Sequence, residues 1–303
     1  MTRDARMCGA LIGLAVGDAL GTTLEFRKPG SFTPITDMVG GGPFSLNPGE
    51  WTDDTSMALC LAESLLERQS FDARDQMERY VRWWREGHLS PTGRCFDIGN
   101  TVKAALARYE KDGNPLAGST DADTSGNGSL MRLAPVVMFY ASEPRIAIEL
   151  AGESSRTTHG SRIAIDACRY FAALLLGAFD GVDKETLLSP HYTPVAGLWN
   201  EQPLTREIAN VANGSFRRGP PEVRGSGYVA QTLEAALWAF DTTADFRSAC
   251  LAAANLGEDA DTTAAVCGQI AGAYYGVAGI PQDWQERLAM KEMIHEYAKR
   301  LVG

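Results

Sequence analysis

Pro48-Gly49-Glu50-Trp51-Thr52-Asp53-Asp54-Thr55-Ser56-Met57-Ala58-Leu59 crowds Glu50, Thr52, Asp53, Asp54 and Thr55 into six positions. Directly behind them comes a helical apolar pattern carried by Met57, Leu59, Cys60, Leu61, Leu65 and Leu66. Thr52 stands where an N-cap belongs, and carboxylates in a first helical turn are favoured by the macrodipole. That reading covers a single acid well, but adjacent carboxylates repel unless a cation neutralises them. A second cluster, Gly257-Glu258-Asp259-Ala260-Asp261-Thr262-Thr263, precedes another small-residue helical run, Ala264 to Tyr275. Asp259 and Asp261, two positions apart, could not face one way inside a regular helix; on the turn that starts one they can. Two Asp/Thr-rich helix starts that meet in space make an all-oxygen cage for hard divalent cations such as Mg2+ or Mn2+.

The chain has 303 residues, 45% of them hydrophobic, enough for a large buried core. Its net charge of -10 argues against a nucleic-acid backbone as the default partner. Six scattered cysteines (Cys8, Cys60, Cys95, Cys168, Cys250 and Cys267) form no CxxC pair, and most lie in apolar helical surroundings. Buried free thiols in a reducing compartment fit them best. The four histidines show no zinc-ligand spacing with them. An apolar run from Ala10 to Leu20 is interrupted by Gly13, Gly17 and Asp18, so it reads as too short and too polar to span a membrane. No signal-cleavage pattern follows it, and the expected location is the cytoplasm.

Residues 4–20 read as a helix with Met7, Leu11 and Leu14 on its apolar face. Ala10, Gly13 and Gly17 recur beside that face, a spacing that lets another backbone come close. Glu25 follows on a turn, as a surface charge or as a mobile ligand beside the acidic cluster. The stretch from Lys28 to Pro48, rich in glycine, is a flexible connector or a flap near a ligand. Amphipathic segments are expected at residues 55–68, 72–87, 98–111, 129–141, 144–155 and 161–178. Only a short helix near 204–212 is expected between Leu188 and Gly227. Further helices are predicted over Val229 to Phe240 and over residues 244–255, 262–277 and 283–301. No sustained period-two alternation appears, so the reading is all-α, one domain over residues 1–303.

Between these helices lie residues with chemistry. Asp97 either caps the helix carrying Val102, Ala105 and Leu106, or binds a cationic substrate group through paired hydrogen bonds. The turn Ser125-Gly126-Asn127-Gly128-Ser129 exposes backbone N–H groups at a helix start, which suits a phosphate, although Gly-Asn-Gly is also common turn chemistry. His159 sits at a helix junction, where a cap or core hydrogen bond is the usual role. Tyr228, after Gly225-Ser226-Gly227, either stacks on a base or ribose or simply packs.

Taken in order, Thr52-Asp53-Asp54, Gly126-Asn127-Gly128-Ser129, Thr158-His159, Ser226-Gly227-Tyr228 and Gly257-Glu258-Asp259-Ala260-Asp261-Thr262 resemble the motifs of the ADP-ribosylglycohydrolases. That family includes the dinitrogen-reductase-activating glycohydrolases. The similarity runs from Gly9-Ala10-Leu11-Ile12-Gly13 to Pro281. It implies an orthogonal all-α bundle with two Mg2+ or Mn2+ ions in a central cleft. It implies ligation by Thr52, Asp53, Asp54, Asp259, Asp261 and Thr262, with Glu25 as a nearby, movable carboxylate. Substrate contacts are implied for Asn127, Gly128, Ser129, His159, Gly227 and Tyr228. Catalysis would fall to Glu25, Asp97 and Asp54, the general base being Glu25 or a metal-bound carboxylate.

Phe96-Asp97-Ile98-Gly99-Asn100-Thr101 resembles the arginine-directed members, in which Asp97 would pair with the guanidinium. The expected reaction is hydrolysis of mono-ADP-ribosylated arginine on proteins, releasing ADP-ribose. The same scaffold would also serve an ADP-ribosyl-serine, O-acetyl-ADP-ribose or poly-ADP-ribose hydrolase, or a non-catalytic ADP-ribose-binding or structural member. The expected partners are an ADP-ribosylated protein and ADP-ribose, with neither nucleic acid nor membrane.

Overall fold

A computed structural model describes residues 1–303, with fifteen α-helices and no β-strand. The first seven helices are α1 (Arg3–Gly21), α2 (Asp53–Arg68), α3 (Ala73–Glu86), α4 (Asn100–Asp112), α5 (Ala134–Phe139), α6 (Pro144–Arg156) and α7 (Arg162–Phe179). Three short ones follow: α8 (Lys184–Leu187), α9 (Leu198–Glu201) and α10 (Arg206–Ala212). The chain closes with α11 (Val229–Asp241), α12 (Phe246–Ala254), α13 (Ala260–Tyr275), α14 (Gln282–Arg287) and α15 (Lys291–Val302). Local chemistry sets several ends. Asp72 and Ser161 cap α3 and α7 by accepting first-turn N–H groups, and Gly87 stops α3 in the left-handed region.

At the centre α1 and α13 lie antiparallel with their backbones in contact. A methyl group built on Gly9, Gly13, Gly17 or Gly21 would sit 2.1–2.2 Å from the carbonyl oxygen of Gly272, Gly268, Ala264 or Ala260 respectively. The relation is mutual, since a methyl on Gly268 or Gly272 would meet Gly13 or Gly9 oxygen at 2.0 Å. Only hydrogen fits there, so the stripe of small residues fixes how the two helices pair. The pairing has a functional consequence. It brings the C-terminal end of α1, with Asp18 and Glu25 close by, against the start of α13, where Asp259 and Asp261 stand.

By length and composition Arg3–Leu24 could in fact cross a membrane (mean hydropathy 1.5 over its best window), which corrects the reading of the run as too short and polar. It is instead a core helix, 89% of that window being buried in the fold. Eighty-four of the buried apolar residues form one cluster. All six cysteines are free, four of them buried.

Most predicted helices fall within two residues of their observed bounds. Two do not, for identifiable reasons. The helix expected over 129–141 shrinks to α5, because buried Gln269 of α13 takes over the backbone before it. Its side chain accepts the Ala134 N–H at 2.9 Å and donates to the carbonyls of Leu130 and Met131 at 3.3 and 2.8 Å. The helix expected over 283–301 is broken into α14 and α15, with Met290 at φ 54°. There the loop before α2 seizes the chain: Ala289 donates its N–H to Gly49, and its carbonyl accepts from the Trp51 indole at 3.1 Å. The stretch from Lys28 to Pro48 is anchored rather than a free connector, with Met38 and Leu46 buried and an isolated bridge between Gly41 and Leu46.

Candidate active site

The two acidic helix starts meet. Each is capped by a carboxylate from α1 or the turn after it, not by its own first residues. Asp18, wholly buried, accepts four bonds at the start of α2. These come from the N–H and hydroxyl of Thr52, both at 2.9 Å, and of Thr55, at 3.0 and 2.6 Å. Glu25 does the same for α13, its Oε2 accepting the Ala260 N–H at 2.8 Å and, more weakly, that of Asp261 at 3.4 Å. Thr52 does occupy the N-cap position, but its side chain makes no capping bond. That corrects the plain capping reading. With the helix ends satisfied from outside, Thr52, Asp53, Asp54, Asp259, Asp261 and Thr262 are free to face a common centre.

The centre lacks positive charge. The Thr52 hydroxyl lies 2.9 Å from Asp18 Oδ1, 3.1 Å from Asp54 Oδ2 and 3.2 Å from Asp261 Oδ2, and its single hydrogen cannot serve three carboxylates. Asp54 Oδ1 is buried with no partner at all. No lysine or arginine lines the adjoining cleft, a cavity of about 370 Å³. Carboxylate oxygens of Asp18, Asp54 and Asp261 lie within 4.8 Å of one another, as do those of Glu25, Asp259 and Asp261. An all-oxygen donor set with an orphaned oxygen and no protein cation fits a hard divalent ion. The acidic clusters can therefore hold metal, and Asp261 belongs to both groups.

Burial first, and then mutual repulsion, pushes these carboxyls up: Asp18 and Asp259 to about 7, Asp53, Asp54 and Glu25 well above the carboxylate range. This has a measurable sign. A raised folded-state value means the folded protein holds protons that the unfolded chain releases, so stability is lost as pH climbs from about 4 towards 7. Chelator-treated protein is expected to melt roughly 5–10 °C lower at pH 8 than at pH 5. Added divalent cation should remove most of that difference; a melting temperature flat with pH in chelator would contradict the electrostatic picture.

Around the metal cluster the cleft takes its remaining walls from three loops. Glu25, Asp53, Asp97, Asp259, Asp261 and Thr262 line one side. Asn127, Gly128, His159 and Gly227 line another. Asp97 does not cap α4: Gly99 occupies that position without a side-chain cap, and Asp97 itself sits at φ 59°. Its carboxyl is half-buried and pushed up to about 11, by burial first and then by Asp53 and Asp261. Beside it Phe96, Phe44 and the exposed Phe26 form an aromatic rim, with ring centroids 5.3 and 6.3 Å apart.

The turns at 125–129 and 225–228 are tied together, Asn127 donating its N–H to Gly227 and Val229 its N–H to Ser125. The Asn127 amide also donates to Asp259 Oδ2 at 3.0 Å, which orients that carboxylate. The N–H groups of Gly128 and Ser129 meet no protein acceptor; Gly128 lines the cleft, and Ser129 lies directly behind it, buried. Two expected contacts differ. The Ser129 hydroxyl turns inward to Ser155 at 2.8 Å, so only its backbone serves the turn. Tyr228 is half-buried against the core and its ring is not part of the cleft wall, in line with plain packing. Thr52 and Asp54 lie behind the cleft surface, fully buried.

Sequence reasoning gave no site role to Asp18, Thr55, Arg132 and Gln269, although Thr55 stands within the first acidic cluster. Asp18 carried a signal: a lone carboxylate inside an apolar helix must find partners or neutralise. The others are polar residues in helical patterns whose partners sit far away in the chain.

The model of the ADP-ribosylglycohydrolase family matches residues 1–303. The chain is 44% identical to ADP-ribosylarginine hydrolase Tri1 of Serratia proteamaculans (strain 568), covering 97% of this chain and 78% of that one. It is 33% identical to the ADP-ribosyl-dinitrogen reductase glycohydrolase of Rhodospirillum rubrum, over 94% and 91% of the two chains. A solved ADP-ribosylglycohydrolase-related protein complex contains a chain that superposes with a TM-score of 0.87 at 45% identity, covering 99% of this chain and 98% of its own. With a metal-competent acidic cluster, an anion-ready turn and this likeness over its whole length, the chain belongs to the ADP-ribosylglycohydrolase family.

Proposed function

We propose that the protein is an ADP-ribosylarginine hydrolase, cleaving the N-glycosidic bond between ADP-ribose and an arginine side chain and releasing ADP-ribose. The observation that carries the arginine linkage is Asp97. It is a half-buried carboxylate released from helix capping, set beside an aromatic rim at the cleft, where a planar cation can be gripped edge-on and covered face-on. The relatives named as arginine hydrolases, near 44% identity, support the same reading.

Thr52, Asp53, Asp54, Asp259, Asp261 and Thr262 would hold two divalent cations, Mg2+ or Mn2+, which when bound polarise and fix ribose hydroxyls. The protein's own groups do the rest. The free N–H groups of Gly128 and Ser129 receive the diphosphate. As the bond from the anomeric carbon to nitrogen lengthens, positive charge builds on the ribose, and the carboxylates of Glu25 and Asp97 face that charge. Glu25, tethered through one oxygen to the start of α13, would take the proton of the attacking water with the other once cations among the neighbouring carboxylates let it ionise. Asp97 holds the departing guanidine in line. A guanidinium beside Asp97 opposes both causes that raise its carboxyl, burial first and then repulsion, so substrate binding favours the ionised form.

Asp97→Ala is expected to lower turnover of arginine-linked substrate by about 100-fold or more, with a much smaller loss on serine-linked substrate. A parallel assay of both substrates checks this. Equal losses on the two would remove Asp97 from guanidinium recognition.

A further inference from the structure

Arg132 is fully buried, yet its bonds go to carbonyls, hydroxyls and the Met57 sulfur and none to a carboxylate. Its guanidinium lies over the Tyr80 ring, 4.6 Å from the centroid, and its Nε has no partner. A buried cation without a counter-ion is costly, so its placement calls for a reason. One Nη donates to the Gly128 carbonyl at 3.0 Å, directly under the cleft turn. The other donates to the Thr158 hydroxyl at 2.8 Å.

That second bond decides the state of a neighbouring ring. The Thr158 oxygen, wholly buried, lies 2.9 Å from His159 Nδ1 and has no other partner. Were the imidazole proton on Nδ1, the Thr158 hydrogen would be left without an acceptor, at a cost that buried groups avoid. The threonine therefore accepts from Arg132 and donates to Nδ1, and the proton of the neutral ring resides on Nε2. Burial and the Arg132 charge also push the ring's proton affinity down, to about 3, so no second proton is added. The only hydrogen bond of the ring within the protein is the one at Nδ1, and His159 lines the cleft. Nε2 lies beside the turn: a methyl built on Gly126 would be 3.2 Å from it, and one on Gly128 would be 2.8 Å from the adjacent ring carbon.

We infer that Arg132 is a positioning residue: acting through Thr158, it fixes His159 as the Nε2–H tautomer, a donor for a diphosphate oxygen seated on the Gly128 and Ser129 amides. The nature of the ligand rests on the function proposed above; the tautomer does not. Nitrogen-15 spectra of the histidine rings in the wild-type protein should show His159 protonated at Nε2 and bare at Nδ1. Thr158→Val removes the relay and leaves Arg132 the Thr157 hydroxyl as an acceptor. It should scramble the tautomer and weaken ADP-ribose binding by about tenfold, the worth of one hydrogen bond to a charged group. Calorimetric divalent-ion affinity should stay unchanged, and Thr158→Ser should restore both the tautomer and ADP-ribose binding.

A wild-type ring protonated at Nδ1 overturns the inference, and that measurement needs no variant to fold. So does a Thr158→Val protein that loses the tautomer but binds ADP-ribose as before. Failure of the wild-type protein to bind ADP-ribose would instead overturn the ligand assignment together with the proposed function, leaving the tautomer to stand on its own spectrum.

Discussion

Asp261→Asn should abolish tight divalent-cation binding. This carboxylate is common to both oxygen clusters, lying within 4.8 Å of Asp18 and Asp54 on one side and of Glu25 and Asp259 on the other. The amide keeps the side chain's shape and its bond from the Thr262 N–H, now 2.7 Å. What changes is charge and one donor oxygen. Groups that merely orient metal ligands are worth about 10–100-fold in affinity, so losing a shared one should exceed about 100-fold in a calorimetric titration. Hydrolysis should fall with it, while the far-ultraviolet circular dichroism stays that of the parent. An unaltered titration would show that the cation, if any, sits elsewhere.

Gly268→Val attacks the scaffold rather than the site. Its first new carbon would lie 2.0 Å from the Gly13 carbonyl oxygen and 2.7 Å from the carbon of that carbonyl. Both belong to a helix backbone, so no side chain can swing aside. Overpacking in a core that can adjust costs about 1–3 kcal/mol, and this contact cannot adjust, so a loss of at least about 3 kcal/mol or outright failure to fold is expected. Gly99→Ala, where an added methyl meets nothing within 4 Å, provides the comparison and should lower the denaturation midpoint only slightly, by the poorer cap that alanine makes for α4. A midpoint in Gly268→Val equal to that of Gly99→Ala would mean that α1 and α13 do not press together as described.

The helices were legible where their periodicity was undisturbed and their ends capped locally, as in α3 or α7. The two that misled were overruled from a distance. Gln269 replaced the bonds that residues 130–134 would have made along a helix, and the loop at Gly49 and Trp51 broke the C-terminal pattern. Neither partner is visible in a window of neighbouring residues. The acidic motifs were legible because so many repelling groups in one place ask for a cation. Their mutual arrangement was not, because it depends on which residues face which across the pairing of α1 with α13. The glycine spacing in α1 announced a close approach without naming the partner helix. Asp18 was hidden for the same reason. Its four bonds go to Thr52 and Thr55, more than thirty positions away, and nothing local marks it as a cap for another helix.

The reach of α1 also bears on how the protein matures during synthesis. Residues 18 and 25 leave the ribosome well before the turn they must grip, Glu25 preceding its partner Ala260 by 235 positions. Until then α1 has no glycine groove to lie in, the face that α13 covers is bare, and Asp18 and Glu25 can assemble no cage. The nascent chain must therefore hold this long apolar segment without its main partner while the intervening residues are made, the interval in which an aggregating encounter or a chaperone would find it.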